Sequence, residues 1–356
     1  MILLNPGPVN VSRRVTDAMA RGDLCHREPE FSDLLDSVRQ KLVRAFAPGG
    51  DWVAVPLTGS GTLALEAAVS SAVSAGRKML VVQNGVYGAR IREMAETHGI
   101  ETVVLEWPWT ERPEPERIAE ALATDPEIEV VAAVHHETTT GLRNPIEAIG
   151  RVVRDAGRVL LVDSISGLAG DPVELDAWGV GICVGVANKC IQGIPGIGFV
   201  LVRRAEMERM ADLAPRTVYL HLPRHFAAHE KRTVPFTAAV QVLYALDEAL
   251  DELLEETVAG RVVRYARAAR QLRRGFERLG LEILLPEEWR SNSITTLRLP
   301  AGATYASLHD ALKRDGFVIY EGQGRLGSTA FRVANMGALQ AADFDRFLEC
   351  LERALP

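Results

Sequence analysis

The 356-residue chain has few cysteines and no long apolar run. Its four cysteines are widely spread and form no CxxC pair, which argues against a disulfide framework and against a metal centre built on thiolates. No segment approaches the roughly 20 apolar residues that cross a bilayer. Pro6 and Pro8 interrupt the apolar N-terminus too early for a signal peptide. We therefore expect no metal, no membrane contact and a cytoplasmic protein.

Basic residues are outnumbered, with 40 Lys and Arg against 47 Asp and Glu and a formal net charge of −7. This balance argues against nucleic acid as a partner, because a phosphate backbone is bound by clustered basic residues. A small anionic substrate is not excluded, since one arginine can bind it. The chain also has no GxGxxG between a strand and a helix, which argues against a nucleotide-binding dehydrogenase. Gly193, Gly196 and Gly198 run into a strand instead.

Short apolar runs alternate with longer amphipathic ones between about residues 52 and 203, which is typical of an α/β domain with a mostly parallel sheet. The predicted strands are residues 78–83, 101–107, 130–136, 158–164, 181–187 and 198–204. Helices are predicted between them at residues 61–76, 89–99 and 144–157, the last with Asn144 as its cap and Pro145 in its first turn. Long helices over 235–280 and a compact α+β segment from 281 onwards predict a second, smaller domain.

Three unusual features fall where strands are predicted to end, and ligands of open parallel sheets bind beyond those ends. TGSGT at 58–62 precedes a helix, so it is either an anion site or an ordinary Ser/Thr cap. Asp163 ends an apolar strand and is either a solvated strand end or a fixed charge in a cleft. Lys189 follows another apolar strand and is either a snorkelling side chain or a desolvated amine nucleophile. Together they provide a phosphate site, a carboxylate and an amine, which is the set that a phosphorylated pyridine aldehyde requires.

Several motifs in the chain are similar to those of a known family. They are LLNPGPVNVS, CHREPEF, TGSGT, NGVYGAR, HHETTTGLRNPI, VDSISGLAG, ANKCIQGIPGIGFV, RTVPFTAAV and FRVANMG. On these motifs the chain resembles the class V branch of the fold-type I pyridoxal-phosphate enzymes, and within it the 2-aminoethylphosphonate:pyruvate aminotransferases. The resemblance covers nearly the whole chain. It implies a large domain with a mostly parallel seven-stranded sheet at 21–255, an N-terminal arm at 1–20 and a smaller α+β domain at 256–356.

The resemblance also assigns roles to individual residues. It implies that pyridoxal 5'-phosphate is the cofactor, that Lys189 forms the Schiff base with it and that Asp163 pairs with its ring nitrogen. A homodimer with shared sites is implied, because Thr233 matches a residue that reaches the phosphate from the neighbouring subunit. The remaining matches are Ser60, Gly61 and Thr62 at the phosphate, Tyr87 on the ring, Thr139 at the phenolic oxygen, and Arg332 at the substrate's acid group.

The implied reaction moves an amino group from 2-aminoethylphosphonate to pyruvate, giving phosphonoacetaldehyde and alanine. Three alternatives stay open: an alanine:glyoxylate or serine:pyruvate type of aminotransferase, a lyase acting on an aminophosphonate, and a cofactor-binding protein without turnover. His26 and Arg27 are candidate substrate contacts or simply an exposed helix start. Cys190, with no paired histidine or metal spacing, is predicted to serve packing.

Overall fold

The computed structural model describes all 356 residues. Twelve α-helices are present: α1 (Arg13–Ala18), α2 (Pro29–Phe46), α3 (Gly61–Ala72), α4 (Val86–Thr97), α5 (Pro115–Thr124), α6 (Ile146–Asp155), α7 (Arg204–Ala211), α8 (Leu222–Glu230), α9 (Val240–Glu256), α10 (Val258–Arg278), α11 (Tyr305–Arg314) and α12 (Ala341–Ala354). No helix combines the length and the apolarity needed to cross a membrane.

Fourteen strands accompany these helices. They are β1 (Ile2–Leu3), β2 (Trp52–Thr58), β3 (Lys78–Gln83), β4 (Glu101–Glu106), β5 (Ile128–Val134), β6 (His136–Glu137), β7 (Leu142–Arg143), β8 (Val159–Asp163), β9 (Ile182–Val186), β10 (Ile197–Arg203), β11 (Ile294–Arg298), β12 (Phe317–Val318), β13 (Tyr320–Glu321) and β14 (Ala330–Ala334).

The main sheet has seven strands in the order β2-β10-β9-β8-β5-β3-β4. Only β10 runs antiparallel to its neighbours, β2 and β9. The other pairs, β9 with β8, β8 with β5, β5 with β3 and β3 with β4, are parallel. The predicted mostly parallel seven-stranded α/β fold is therefore confirmed. Six of the seven strands coincide within a few residues with the predicted ones, and β2 is the seventh.

Helices cover both faces of this sheet, which explains why its strands have continuous apolar runs. Side chains alternate along β3, so that Leu80 joins a core cluster of 47 buried residues with α2, α6 and α9, while Val81 joins one of 27 residues with α3 and α4. Leu80 and Val81 are both fully buried. Polar side chains such as Asp163 lie instead at the carboxyl ends of the parallel strands.

The C-terminal part has its own layer of structure. β11, β14 and β13 form an antiparallel sheet, and α10, α11 and α12 pack with it in a cluster of 18 buried residues. The first residues of the chain belong to this layer, because β1 pairs in parallel with β12 and Leu4 lies in the same cluster. Tyr265 of α10, by contrast, packs in the large-domain cluster. The predicted divisions at residues 20 and 255 stay predictions.

The start of α6 differs from the prediction. Pro145, not Asn144, occupies the cap position, and no side chain caps the helix. The Asn144 amide instead donates to the carbonyl oxygen of Val134 at 2.8 Å and exchanges hydrogen bonds with the Asn84 side chain. The buried end of β5 therefore uses the amide that the sequence pattern assigned to the helix, because a buried carbonyl must find a donor.

Gly150 allows α6 to lie against the segment that precedes β9. A Cβ at this position would lie 1.8 Å from the Trp178 carbonyl oxygen, whereas a Cβ at Gly49 would meet nothing within 4 Å. We predict that Gly150→Ala lowers stability by about 1–3 kcal/mol through overpacking, although alanine is normally the better helix former. Gly49→Ala should change it by less than about 0.5 kcal/mol. Urea unfolding of both variants measures this, and equal midpoints would contradict the prediction.

Candidate active site

Asp163 is the last residue of β8 and is 3% exposed. One of its oxygens accepts a hydrogen bond from the Ile165 N–H at 3.0 Å, and no cationic side chain pairs with it. Burial raises the pKa of this carboxyl to about 6, the Ile165 N–H opposes the rise, and nearby Glu137 adds to it. The strand end therefore carries a carboxylate out of water without a partner charge.

Lys189 lies in the connection between β9 and β10. Its Nζ donates to the carbonyl oxygen of Pro6. Burial lowers the pKa of this amine to about 8, and the Asp163 carboxylate acts in the opposite direction. A substantial fraction of Lys189 is therefore a neutral amine near physiological pH. A neutral amine is the form in which a lysine is a nucleophile or a base.

The N-terminal segment forms part of this site, which the sequence analysis did not predict. Gly7 has φ +97°, and a Cβ there would lie 2.8 Å from Cδ and 2.9 Å from Cε of Lys189. Any larger residue would collide with the lysine. The sequence signal for this close contact is the NPGP turn at residues 5–8, which is also part of the motif LLNPGPVNVS.

The TGSGT segment forms the start of α3, as predicted. Ser60 is the cap residue, and its Oγ accepts a hydrogen bond from the Leu63 N–H at 3.3 Å. β10 approaches this helix start very closely, since a Cβ on Gly198 would lie 2.7 Å from the Ser60 carbonyl oxygen. Gly61 is buried and Thr62 is exposed. The helix start, with its unpaired N–H groups, therefore lies at the carboxyl edge of the sheet and offers an anion site.

Arg90 connects this anion site with Tyr87. The Arg90 guanidinium lies 4.8 Å from the centroid of the Tyr87 ring, and Nη1 donates to the Thr62 hydroxyl at 3.4 Å. Tyr87 was predicted as a site residue and Arg90 was not. The spacing of three residues in α4 could have indicated Arg90, because residues three apart on a helix share a face. The arginine adds a positive charge beside the start of α3.

Arg332 lies on β14 and is 6% exposed. Its Nε donates to the Glu321 carbonyl oxygen, and its Nη1 donates to the Thr138 carbonyl oxygen and to Oε1 of Gln323, each at 3.0 Å. No carboxylate pairs with this guanidinium, and burial lowers its pKa. The geometry provides a buried cation with donor capacity left for an anion.

One cleft of about 480 Å³ is lined by Lys189, Arg332 and Tyr87. Asp163, Arg90 and the start of α3 are not among its lining residues. The other lining residues are Pro6, Gly7, Thr138, Tyr305, Tyr320, Glu321, Gly322, Gln323 and Gly324. The N-terminal segment, the large domain and the C-terminal part therefore all contribute to one site.

Thr139 is placed differently from the residue that the resemblance describes. It is fully buried, and its hydroxyl donates to Oε1 of Glu137 at 2.6 Å. The Thr139 hydroxyl oxygen also accepts a hydrogen bond from the Val86 N–H at 3.0 Å. Its neighbour Thr138 lines the cleft, with its hydroxyl 2.7 Å from that of Ser166. The repeated threonines at 138–140 are indistinguishable by pattern alone, so the sequence did not separate them.

Thr233, His26 and Arg27 do not line this cleft. The Thr233 N–H donates to the Ala228 carbonyl, and Nη1 of Arg27 donates to the Val234 carbonyl at 3.1 Å, so residues 27 and 233 lie on one surface. Cys190 is fully buried in the large core cluster, and burial raises the pKa of its thiol to about 12. No group of three or more His, Cys, Asp or Glu is arranged to hold a metal ion.

Known proteins that are similar to this chain in sequence and in fold include several aminotransferases. A family model described as aminotransferase class V matches residues 12–331. The 2-aminoethylphosphonate–pyruvate transaminase of Syntrophobacter fumaroxidans is 38% identical over 359 aligned residues, which cover 99% of this chain and 96% of that protein. Alanine–glyoxylate aminotransferase from Nostoc sp. superposes with a TM-score of 0.94 at 29% identity, covering 100% of this chain and 95% of its own. The chain belongs to the class V aminotransferases.

Membership in the class V aminotransferases makes the protein a pyridoxal-phosphate-dependent transaminase. The residues present fit that cofactor. The exposed Thr62 at the start of α3 and the Arg90 guanidinium suit a phosphate. Asp163 is a buried carboxylate without a cation, and a protonated pyridine nitrogen would supply one. The fold and cofactor predicted from the sequence are therefore confirmed.

The buried charge of Asp163 should make the cofactor-free protein less stable as pH rises. A carboxyl whose pKa is raised on folding contributes stability when protonated and loses it between its unfolded pKa, about 3.8, and its folded pKa, about 6. We predict that Asp163→Asn removes this loss, which is about 3 kcal/mol at 1.36 kcal/mol per pKa unit. About half of this loss has already occurred at pH 5, so the variant's advantage should grow by about 1.4 kcal/mol between pH 5 and pH 8. Melting temperatures of cofactor-free wild type and variant at both pH values measure this growth, and an equal difference at both would contradict the prediction.

Proposed function

We propose that this class V aminotransferase transfers the amino group of 2-aminoethylphosphonate to pyruvate, releasing phosphonoacetaldehyde and alanine. Relatives named for this reaction are 35–38% identical over nearly the whole chain. The observation that carries the proposal is the Arg332 guanidinium, which is buried, unpaired with any carboxylate, and lines the same cleft as Lys189. Phosphonate and carboxylate both suit its paired donors.

Each part of the cofactor has a matching group in the proposed site. Ser60, Gly61 and Thr62 at the start of α3 would hold its phosphate, with Arg90 beside them. Tyr87 would stack on its ring, Asp163 would pair with its ring nitrogen, and Lys189 would bind its aldehyde. Among the threonines we favour Thr138 for its phenolic oxygen, because Thr138 lines the cleft and Thr139 is bonded elsewhere. Bound there, the cofactor supplies an electron sink for the substrate carbon.

Lys189 is proposed to act as the general base. Its Nζ would take and hold the proton from the substrate carbon that carries the amino group. A pKa of about 8 leaves enough neutral amine for this near physiological pH. The Asp163 carboxylate stabilises positive charge at the ring nitrogen. Arg332 orients first the phosphonate of the donor and then the carboxylate of pyruvate.

We also propose that the functional form is a homodimer with shared sites. Thr233 matches a residue that reaches the cofactor phosphate from the neighbouring subunit, and in its own chain it does not line the cleft with Lys189. Arg27 contacts the backbone beside Thr233, which puts this candidate substrate contact on the same surface. Val218 and Tyr219 add exposed apolar side chains, 66% and 36% exposed, to the loop before α8. The cytoplasmic location stays a prediction.

Other class V reactions use anions that the same arginine can bind. Solved structures with TM-scores above 0.9 to this chain include an aspartate aminotransferase from Thermus thermophilus, at 30% identity, and the Nostoc alanine–glyoxylate enzyme. The fold alone therefore does not identify the amino donor of this chain. Alanine with glyoxylate, serine with pyruvate, and lysis of the aminophosphonate without an acceptor are the alternatives for an activity screen.

The proposed reaction predicts alanine formation from pyruvate with 2-aminoethylphosphonate as donor. Holoenzyme incubated with pyruvate and 2-aminoethylphosphonate, aspartate or serine should form alanine fastest with the phosphonate, as measured by alanine dehydrogenase. A parallel assay with alanine and glyoxylate covers the remaining aminotransferase alternative. Lys189→Ala should form no alanine while keeping the wild-type circular dichroism spectrum. Alanine from another donor only would contradict the proposed substrate and leave the family assignment intact.

Arg332 should control substrate affinity more than cofactor binding. We predict that Arg332→Gln raises the KM for the anionic donor roughly 100-fold, since losing one partner of a desolvated charge pair costs about 2–5 kcal/mol. Arg298→Gln, on the exposed end of β11 and paired only with Glu282, is the matched control and should behave as wild type. Steady-state kinetics measure both variants. An unchanged KM in Arg332→Gln would refute the assigned role.

A further inference from the structure

Helix α4 carries two residues of the site but has no cap of its own. Tyr87 and Arg90 lie in its first two turns, and Arg90 reaches the start of α3. The cap residue is Gly85, which has no side chain to accept a hydrogen bond from the first turn. The N–H groups at a helix start need acceptors when they are buried. Some other part of the chain must supply them here.

The acceptors come from the segment after β5. The Thr139 hydroxyl accepts from the Val86 N–H at 3.0 Å and donates to Oε1 of Glu137 at 2.6 Å. The Thr139 N–H also donates to Oε1 of Glu137, at 3.1 Å. Burial raises the pKa of Glu137, and the nearby peptide N–H groups of Tyr87 and Gly88 oppose that rise, while its Oε2 forms no hydrogen bond. A threonine and a carboxylate distant in sequence therefore do what a cap residue and its partner normally do.

The glycine at position 85 is an independent sign of this arrangement. Its φ of 177° is extended backbone that any residue adopts, so conformation does not require glycine. A Cβ there would lie 2.2 Å from Cδ and 2.4 Å from Cγ of Glu137. The carboxylate therefore occupies the space that a cap side chain would fill, and only glycine leaves room for it.

The charge of Glu137 suits this place. Glu137 is 0% exposed, and burial raises its pKa, while the Thr139 hydroxyl and the N–H groups lower it. No cationic side chain forms a salt bridge with it, so its stabilisation comes from the start of α4, where the helix dipole favours an anion. The ionisable groups that interact with Glu137 by charge are Asp163, Tyr87 and Arg332. Tyr87 and Arg332 line the cleft, whereas Glu137 does not.

We propose that Glu137 and Thr139 are positioning residues that cap α4 through space and so hold Tyr87 and Arg90 at the cleft. Thr139 acts without touching the cofactor, because its hydroxyl donates a hydrogen bond to Glu137 and accepts one from the Val86 N–H. The effect on cofactor binding rests on the proposed contacts of Tyr87 and Arg90. The effect on the helix start does not depend on the proposed function.

Two neighbouring threonines provide a matched test. Thr139 and Thr140 are both buried, but the Thr140 hydroxyl has no hydrogen-bond partner. In full-length protein freed of cofactor, Thr139→Val should speed amide hydrogen exchange at residues 86–88 about 10-fold, whereas Thr140→Val should leave it unchanged. The same Thr139→Val protein should bind pyridoxal 5'-phosphate about 10-fold more weakly by fluorescence titration. Thr139→Ser keeps the hydroxyl and should restore both values.

Glu137→Gln gives a second test that keeps the shape of the side chain. It replaces one acceptor oxygen by an N–H₂ that faces the N–H groups of the helix start, so exchange at residues 86–88 should again rise about 10-fold. Weaker cofactor binding in Thr139→Val with unchanged exchange would show a direct contact and overturn the proposal. Unchanged exchange in a folded Glu137→Gln would also overturn it. Because these readouts need no turnover, a failed donor screen would leave them valid.

Discussion

Four ionisable side chains around one cleft, Asp163, Glu137, Lys189 and Arg332, are held by peptide groups instead of by opposite charges. The Ile165 N–H serves Asp163, and the N–H groups of Thr139 and of α4 serve Glu137. Carbonyl oxygens serve the cations, from Pro6 for Lys189 and from Glu321 and Thr138 for Arg332. Burying unpaired charges is costly. Peptide dipoles offset part of that cost, and at Lys189 and Arg332, which line the cleft, they leave the charge available to a ligand.

This manner of stabilising charge demands close approach of backbone to side chain, and the glycines follow from it. Gly7 clears Lys189, Gly85 clears Glu137, and Gly198 clears the start of α3. Each contact lies at the edge of the sheet where the parallel strands end. Two helices, α3 and α4, begin at the same edge, so their N-termini add positive potential to the cleft. The scaffold and the electrostatics of the site are therefore one arrangement.

The sequence predicted the sheet well, because continuous apolar runs are the direct result of burial on both faces. Asp163 and Lys189 stood out for the complementary reason that a charge at the end of such a run has few ordinary explanations. Arg332 was predicted only from the resemblance, because no local pattern marks it and its partners come from Thr138 and Gln323.

Other features depend on contacts between distant segments, and no pattern encodes them. Asn144 lies where the sequence predicts a helix cap, but its side chain donates to the Val134 carbonyl oxygen at the end of β5. Thr138, Thr139 and Thr140 are identical in type, yet Thr138 lines the cleft, the Thr139 hydroxyl donates to Glu137, and the Thr140 hydroxyl forms no hydrogen bond. Arg90 and Pro6 were not predicted, because they belong to the site through contacts with distant residues, Arg90 with Thr62 and Pro6 with Lys189. Local propensity specifies elements, whereas the environment of a side chain is decided by the tertiary packing.

The pairing of β1 with β12 has a consequence for the order in which the site is built. Ile2 pairs with Phe317 and Leu3 with Val318, while Pro6 and Gly7, a few residues on, contact Lys189. During synthesis the first residues leave the ribosome long before their strand partners exist. All strands of the large sheet lie before residue 204, whereas β12 begins at Phe317. The pairing of β1 with β12 therefore ties the segment that contacts Lys189 to the part of the chain that carries Arg332.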